Sequence, residues 1–142
     1  MAQKPGSIVH VEIHSADPTR TKRFFGDVFG WSFEDVPQMN YTMWRAPSAP
    51  GGGLQAPMAG QPPQILNYIL AKDVSSTASK ISSAGGAILI PKTEIPGQGW
   101  FAVFREPGGT VLALYENMPR PRARPAKKKA KAKKAAGKKR RK

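Results

Sequence analysis

The chain carries one pattern of strands and helix twice, and this repeat restricts the folds that are open to it. Residues 8–13 and 65–70 both have the composition of short β-strands, and they begin 57 residues apart. In each half a helix and then three more strands are predicted to follow, so that each half is a βαβββ module. Two modules are too few for a stacked solenoid. The repeat instead predicts an α+β fold, an open barrel of two curved sheets that face each other across a cleft, with the helices outside.

Local signals place the elements of both modules. Asp17 followed by Pro18 is typical of a helix N-terminus, and Gly30 of a helix end. The first module is predicted to have a helix over 18–29 and strands over 8–13, 31–36, 41–46 and 53–55. The second is predicted to have a helix over 74–84 and strands over 65–70, 87–90, 100–105 and 110–115. Together they define a single predicted domain over 7–117.

Alternation along the first strand separates an apolar row from a polar row. The apolar row is expected to pack under the first helix, whose apolar side carries aromatic residues. The row consists of Val9, Val11 and Ile13, and the helix contributes Phe24, Phe25 and Val28.

The polar row of the first strand, His10, Glu12 and His14, is expected to face the cleft. Burying an unpaired carboxylate or imidazole there would cost free energy. His10 and Glu12 are therefore candidates for a base with its orienting carboxylate, or for contacts to a polar ligand. The alternative is a solvated face on which these side chains only satisfy each other, and this alternative is favoured for His14.

The charge of the chain is confined to its C-terminus. The whole chain has 23 Lys and Arg, 9 Asp and Glu, a net charge of +14 and no cysteine. Subtracting the 14 basic residues of 120–142 from the 23 leaves 9, which the 9 acidic residues balance. The segment 118–142 has no large apolar residue after Met118 and is predicted to be a disordered basic tail, because it cannot bury enough surface to offset its ordering entropy.

Such a tail is expected to bind nucleic acid without sequence preference, through release of counterions. The alternative is a tail that only increases solubility. The basic residues are Arg120, Arg122, Arg124, Lys127, Lys128, Lys129, Lys131, Lys133, Lys134, Lys138, Lys139, Arg140, Arg141 and Lys142. With no signal peptide or membrane-length apolar run in the sequence, we expect a cytoplasmic protein, associated with the nucleoid or, in a eukaryote, nuclear, and no membrane insertion.

Several segments resemble the vicinal-oxygen-chelate superfamily, the glyoxalase/bleomycin-resistance/dioxygenase proteins. Residues 10–13 (HVEI) and 17–31 (DPTRTKRFFGDVFGW) are similar to the opening module of that fold. Residues 51–54 (GGGL), 91–96 (PKTEIP), 99–104 (GWFAVF) and 106–110 (EPGGT) are similar to its later part. The resemblance covers 8–117 and is strongest to a poorly characterised branch of single-domain members. The tail resembles those of linker histones.

The resemblance implies four positions for the ligands of a divalent metal, on the first, fourth, fifth and eighth strands. His10 matches the first position, and Gln55 falls loosely on the second. Asn67 stands at the third, where His is expected, and Ala113 at the fourth, where Glu is expected. The prediction is therefore a largely degenerate metal site and no cofactor, with a divalent metal as the alternative.

The favoured function is binding of a small, partly apolar molecule in the cleft, with the tail on nucleic acid. The predicted cleft residues are His10, Glu12, Gln55, Asn67, Ala113 and Tyr115. A metal-dependent lyase or ring-cleaving dioxygenase related to glyoxalase I is the enzymatic alternative. In a third hypothesis the protein is nucleic-acid-associated and the domain only a dimerisation scaffold. The resemblance also implies a homodimer.

Overall fold

Residues 3–119 are described by a computed structural model of the chain. The predicted basic tail lies, from Arg120 onward, outside the described residues. The first module contains strand β1 (Ile8–His14), helix α1 (Pro18–Phe29), β2 (Ser32–Val36), a 3₁₀ turn (Pro37–Met39), β3 (Tyr41–Arg45) and β4 (Gly52–Gln55). The second contains β5 (Gln64–Leu70), α2 (Val74–Ser83), β6 (Ala87–Ile95), β7 (Gly99–Arg105) and β8 (Val111–Asn117). The predicted βαβββ order is thus confirmed in both halves.

The eight strands form one sheet in the order β2-β3-β4-β1-β5-β8-β7-β6. The expectation of two separate sheets is wrong in this respect, because β1 and β5 pair antiparallel in the middle and join the modules. Within each module the first strand pairs in parallel with the fourth, β1 with β4 and β5 with β8. Strands β2 and β6 are the two edges, so the sheet is open.

Helix α2 covers the outer face of the second module. Val74 is fully buried and packs in a cluster with Ala71, Ala102, Phe104 and Leu114. The side chain of Asp73 caps the helix by accepting hydrogen bonds from the backbone N–H groups of residues 75 and 76. Strand alternation then places the neighbouring residues of the same strands, Val103 and Ala113, on the opposite face with Leu66.

Helix α1 is attached more loosely than the sequence predicts. Its predicted cap is confirmed, since Asp17 accepts from the N–H of Arg20 and Gly30 has a left-handed backbone, φ 71°. None of its residues is buried, however, and Phe24 and Val28 are more than half exposed. The helix instead contacts the sheet through stacked rings, Phe25 on Trp31 and Trp31 on Trp44. Trp44 occupies the surface that was expected to pack against Phe24 and Val28.

Strand β6 is longer than predicted, since it continues past residue 90 through Pro91 to Ile95. Its pairing with β7 shifts register twice, between Ile88 and Ile90 and between Ile90 and Thr93. A proline is tolerated because β6 is an edge strand with such irregularities. Neither helix among residues 3–119 is long and apolar enough to cross a bilayer.

Candidate functional site

A cavity of about 450 Å³ opens on the inner face of the sheet. Side chains from β1, β3, β4, β5, β6, β7 and β8 line it, so the sheet curves around this space. Its volume lies within the range of small-molecule sites, which is roughly 300–1,000 Å³.

The centre of the polar part is the carboxylate of Glu12, which is 5% exposed. Its Oε1 accepts from Nε2 of His14 at 2.8 Å and from Nε2 of Gln55 at 3.2 Å. Its Oε2 accepts from the hydroxyl of Tyr41 at 2.8 Å, and the hydroxyl of Tyr68 is 3.2 Å from both oxygens. We call these five residues the Glu12 network. A buried carboxylate is tolerated when several donors surround it in this way.

His10 continues the network toward the cavity. Its Nε2 is 2.7 Å from the hydroxyl oxygen of Tyr41. Because the single proton of that hydroxyl is donated to Glu12, the oxygen accepts here and His10 carries its proton on Nε2. Burial lowers the pKa of His10 below its ordinary value of 6.5, against the opposing effect of the Glu12 charge. His10 is therefore a neutral imidazole, and the lone pair is on Nδ1.

The two tyrosines of the network are held in their protonated form. Burial, then the charge of Glu12 and the hydrogen bond to it, raise the pKa of both Tyr41 and Tyr68 far above the ordinary value. Neither hydroxyl is thus a source of a phenolate, and both act as fixed hydrogen-bond donors to Glu12.

His14 lies beneath Glu12 and is almost completely buried, 1% exposed. Its Nδ1 is the single buried side-chain nitrogen or oxygen of residues 3–119 that has no hydrogen-bond partner. The Nε2 nitrogen of His14 carries the proton that it donates to Glu12. His14 pairs with Glu12, as predicted, but the predicted solvated face is wrong, because both side chains are buried.

The rest of the cavity is mostly apolar, with amide side chains at Gln3, Gln98 and Asn117. The second module supplies a wall made of Ile90, Ile95, Phe101 and Val103, and the first supplies methionines, Met39, Met43 and Met58. Methionine side chains adapt their shape to a guest. Tyr115 and Asn117 lie at the rim on β8, where the Tyr115 hydroxyl donates to the carbonyl of Gln98 at 3.0 Å.

Two glycines on β4 allow the aromatic residues of β3 to reach this site. A Cβ on Gly53 would overlap the phenol ring of Tyr41, and a Cβ on Gly52 would overlap the backbone carbonyl of Val11 and come 2.8 Å from the indole of Trp44. The indole N–H of Trp44 donates to the carbonyls of Val11 and Gly53. The glycines therefore let Tyr41 cross over β4 to Glu12.

Four of the six predicted cleft residues line the cavity: His10, Glu12, Gln55 and Tyr115. Asn67 does not, because β1 and β5 pair with His10 opposite Tyr68 and Val11 opposite Asn67. Ala113 lies on the inner face but is fully buried beneath Leu66 and Val103. The predicted cleft residues include neither Tyr41 nor Tyr68. A polar-tipped residue two positions after Leu66, on the same strand face, is the signal that points to Tyr68.

Comparisons with known proteins agree with this architecture. The family described as "Bleomycin resistance protein-like N-terminal" matches residues 7–46. The protein CFP32 of Mycobacterium tuberculosis, named as a candidate glyoxylase, is 28% identical over 123 residues, which are 84% of this chain and 47% of that protein. The chain thus spans about half the length of this curated relative, and the same holds for its counterpart in Mycobacterium bovis.

A solved structure from Vibrio splendidus, a glyoxalase/bleomycin resistance protein/dioxygenase superfamily member, covers 76% of this chain and 97% of its own, with a TM-score of 0.57 and 13% identity. The chain has the vicinal-oxygen-chelate fold. Methylmalonyl-CoA epimerase from Mycobacterium tuberculosis has the same vicinal-oxygen-chelate fold, with a TM-score of 0.62, 16% identity, and coverage of 84% of this chain and 94% of that one. The Mn(II)-bound glyoxalase from Novosphingobium aromaticivorans has a TM-score of 0.59 and 21% identity, covering 84% and 43%.

The vicinal-oxygen-chelate fold implies a divalent metal, and the donors of this cavity do not fit one. Nε2 of His10 is bonded to Tyr41, the amide nitrogen of Gln55 points at Glu12, and the Tyr68 hydroxyl is used on Glu12 as well. On β8 the ligand position is the apolar Ala113. Residues 3–119 contain no group of three or more His, Asp or Glu placed to hold a metal ion. Binding of a small molecule in this cavity does not require a metal.

Proposed function

We propose that the domain binds a small, partly apolar molecule in the cavity above the Glu12 network. The observation that carries the proposal is a buried, fully hydrogen-bonded carboxylate at one end of a mostly apolar cavity. Ligand sites typically combine such an apolar surface with a few fixed polar groups that orient the guest. Within this proposal Glu12 orients its neighbours and does not contact the ligand, because both of its oxygens already accept hydrogen bonds from the network. His10 is the residue that contacts the ligand.

Binding can be tested with the full chain and 1-aminoanthracene, a fluorophore that brightens in apolar cavities. We expect saturable fluorescence that is abolished in Met43→Trp, where an indole fills the cavity from β3. Val28→Trp is the matched control, since it adds the same indole on the exposed face of α1. Equal fluorescence in both variants, or none in the unmodified chain, would contradict the proposal and favour the domain as a scaffold.

We also propose that the basic tail binds nucleic acid through its charge alone. The support is the segregation of charge, 14 Lys and Arg with no acid in 120–142 beside a formally neutral domain. Anisotropy of a labelled DNA duplex should show binding that weakens steeply with salt and is alike for two unrelated sequences. Ending the chain at Pro119 should abolish it. Unchanged binding after this truncation would exclude the tail as the contact.

The homodimer and the metal-dependent enzyme, both implied by the resemblance, stay predictions. A homodimer is tested by sedimentation velocity of the full chain. The enzymatic alternative, a metal-dependent lyase or dioxygenase, is tested by turnover of a hemithioacetal or a catechol with added Ni²⁺, Zn²⁺ or Fe²⁺.

A further inference from the structure

We propose that the cavity selects ligands that donate a hydrogen bond and carry no negative charge, such as a phenol, an alcohol or a protonated amine on an apolar body. The inference rests on the proposed small-molecule function and specifies the ligand class. It follows from where the protons of the polar floor are directed, and from the charge of the lining.

The floor of the cavity has already used its ring and hydroxyl protons. The hydroxyls of Tyr41 and Tyr68 each have one proton, and both are directed at Glu12. Nε2–H of His10 is directed at the Tyr41 oxygen. What His10, Tyr41 and Tyr68 still offer to a guest is therefore lone pairs and not N–H or O–H groups. Gln55 directs one amide N–H at Glu12, and its second is the one donor of the Glu12 network that is left over.

One of these lone pairs is open to the cavity. Nδ1 of His10 makes no hydrogen bond with the residues that the structure describes. Among residues 3–119 the one buried side-chain nitrogen or oxygen without a partner is His14 Nδ1, so Nδ1 of His10 is not fully buried. Nδ1 of His10, a residue that lines the cavity, is thus accessible to a guest. A ligand group that donates a hydrogen bond satisfies it, whereas an ether or carbonyl oxygen in the same place leaves two acceptors facing each other.

The formal charge of the lining acts in the same direction. Among the described residues that line the cavity, Glu12 is the one charged side chain, and no Lys or Arg is present. In a partly buried site a like charge nearby is screened much less than in water. A carboxylate or phosphate ligand would therefore meet repulsion with no compensating cation, and an ammonium group would meet attraction.

The inference can be tested with four probes that share one apolar body: 4-phenylbutylamine, 4-phenylbutan-1-ol, its methyl ether and 4-phenylbutyrate. The full chain is labelled with ¹³C in the methionine methyl groups. Met43 and Met58 line the cavity, and Met118 lies outside it beside the basic segment 120–142, so its signal reports contact of an anion near that segment. We expect the amine and the alcohol to shift the Met43 and Met58 signals with dissociation constants on the order of tenfold lower than those of the ether and the carboxylate.

Two variants test separately whether the His10 acceptor and the Glu12 charge produce the ligand selectivity. His10→Phe keeps a ring but removes the acceptor, and should abolish the preference for the alcohol over the ether. Glu12→Gln removes the charge and should narrow the ratio between amine and carboxylate, whereas Glu34→Gln, an exposed carboxylate on β2, should leave it unchanged. If Glu12→Gln does not fold, the alcohol–ether comparison in His10→Phe carries the test.

The outcomes separate this inference from the function on which it rests. Cavity binding of the carboxylate equal to that of the amine, or of the ether equal to that of the alcohol, would overturn the inference and leave small-molecule binding intact. Absence of cavity shifts with all four probes and with 1-aminoanthracene would overturn the proposed function and the inference together.

Discussion

The buried carboxylate of Glu12 determines the arrangement of the polar side chains in the cavity. A buried carboxylate is stable only if donors replace the water that it has lost. Here those donors come from four side chains, on β1, β3, β4 and β5. The carboxylate thereby fixes the orientation of its neighbours, including the tautomer of His10 through Tyr41.

Removing one donor should show how strongly the network is held. Tyr41→Phe deletes the hydroxyl that is bonded to Glu12 and to His10, and leaves a buried charge with one partner fewer. We expect the free energy of unfolding to fall by about 1.5–3 kcal/mol, as for hydrogen bonds to charged groups. Urea denaturation measures it. Tyr115→Phe removes a hydroxyl bonded to the Gln98 carbonyl at the rim and should cost about 1 kcal/mol or less. Equal losses would mean that Glu12 does not depend on Tyr41.

The lowered pKa of His10 predicts a specific pH dependence of stability. The unfolded chain takes up a proton on this residue near pH 6.5, whereas the folded chain does so only at lower pH. Between the pKa of His10 in the unfolded chain and its lower pKa in the folded chain, the unfolded state binds more protons. The free energy of unfolding therefore falls as the pH falls through 6.5. His10→Gln should flatten the curve of unfolding free energy against pH in this window.

The groups facing His10 are Glu12, Tyr41 and Tyr68, and His14 lies beyond Glu12. Because His10→Gln keeps all four, their contributions are common to both curves. Parallel curves for the two proteins between pH 7 and pH 5 would show that His10 is not desolvated in the folded state.

At the residue scale, the sequence predicts which residues of β1 face the cavity but not which residues of β5 do. The period of two along β1 is enough to assign His10 and Glu12 to the cavity. The error at Asn67 comes from matching the modules at an odd offset of 57 residues, because a shift of one residue moves every side chain of a strand to the other face. The pairing of β1 with β5, which sets Tyr68 opposite His10, is a long-range property that the local pattern does not contain.

Strand β4 is the element on which the site geometry most depends. It is only four residues long, Gly52–Gln55, and it pairs with both β1 and β3. Its glycines leave room above the backbone for the side chains of Tyr41 and Trp44, and its last residue, Gln55, reaches Glu12. A strand this short is defined more by its neighbours than by its own β-propensity.

A methyl group on β4 should therefore be costly. Gly53→Ala would overlap the ring of Tyr41 and force it away from Glu12, and we expect a loss of about 1–3 kcal/mol in the free energy of unfolding. Gly26→Ala is the matched control, because its Cβ would meet only the Trp31 carbonyl at 3.6 Å, in the middle of α1. There alanine should stabilise the chain by up to about 1 kcal/mol. Effects of the same sign at both positions would contradict this account.

At the element scale, boundaries with a local chemical signal were predictable. Asp17, Pro18 and Gly30 act within one helical turn, and the structure has them at the ends of α1. The extension of β6 to Ile95 was not predictable, because an edge strand with register shifts lacks the alternation that identifies a strand. The loose attachment of α1 was not predictable either, because its apolar residues have the pattern of a buried helix face. In the structure Trp44 occupies the sheet surface against which they were expected to pack.

At the scale of the whole molecule, the two modules form one continuous sheet. The β1–β5 ladder runs from residue 8 to residue 14 along the middle, and side chains of β5 belong both to the Glu12 network and to the core of the second module. Neither module can lose its first strand without exposing the core of the other, and folding should be cooperative across the chain.

This cooperativity can be measured with 5-fluorotryptophan and ¹⁹F NMR. Trp44 reports on the first module and Trp100 on the second, where it packs against the α2 core. We expect both folded signals to disappear at the same urea concentration. Separate midpoints would show that the modules unfold independently and that the ladder between β1 and β5 is weak.

The division of the cavity between the modules has a consequence for how such chains diverge. Four of the five residues of the Glu12 network, Glu12, His14, Tyr41 and Gln55, come from the first module, whereas the apolar wall of Ile90, Ile95, Phe101 and Val103 comes entirely from the second. After a duplication, mutations in the second half can then alter the size and shape of the accepted molecule while the four first-module residues of the network stay unchanged. A lineage can thus vary the body of its ligand, in one gene, without losing the polar group that orients it.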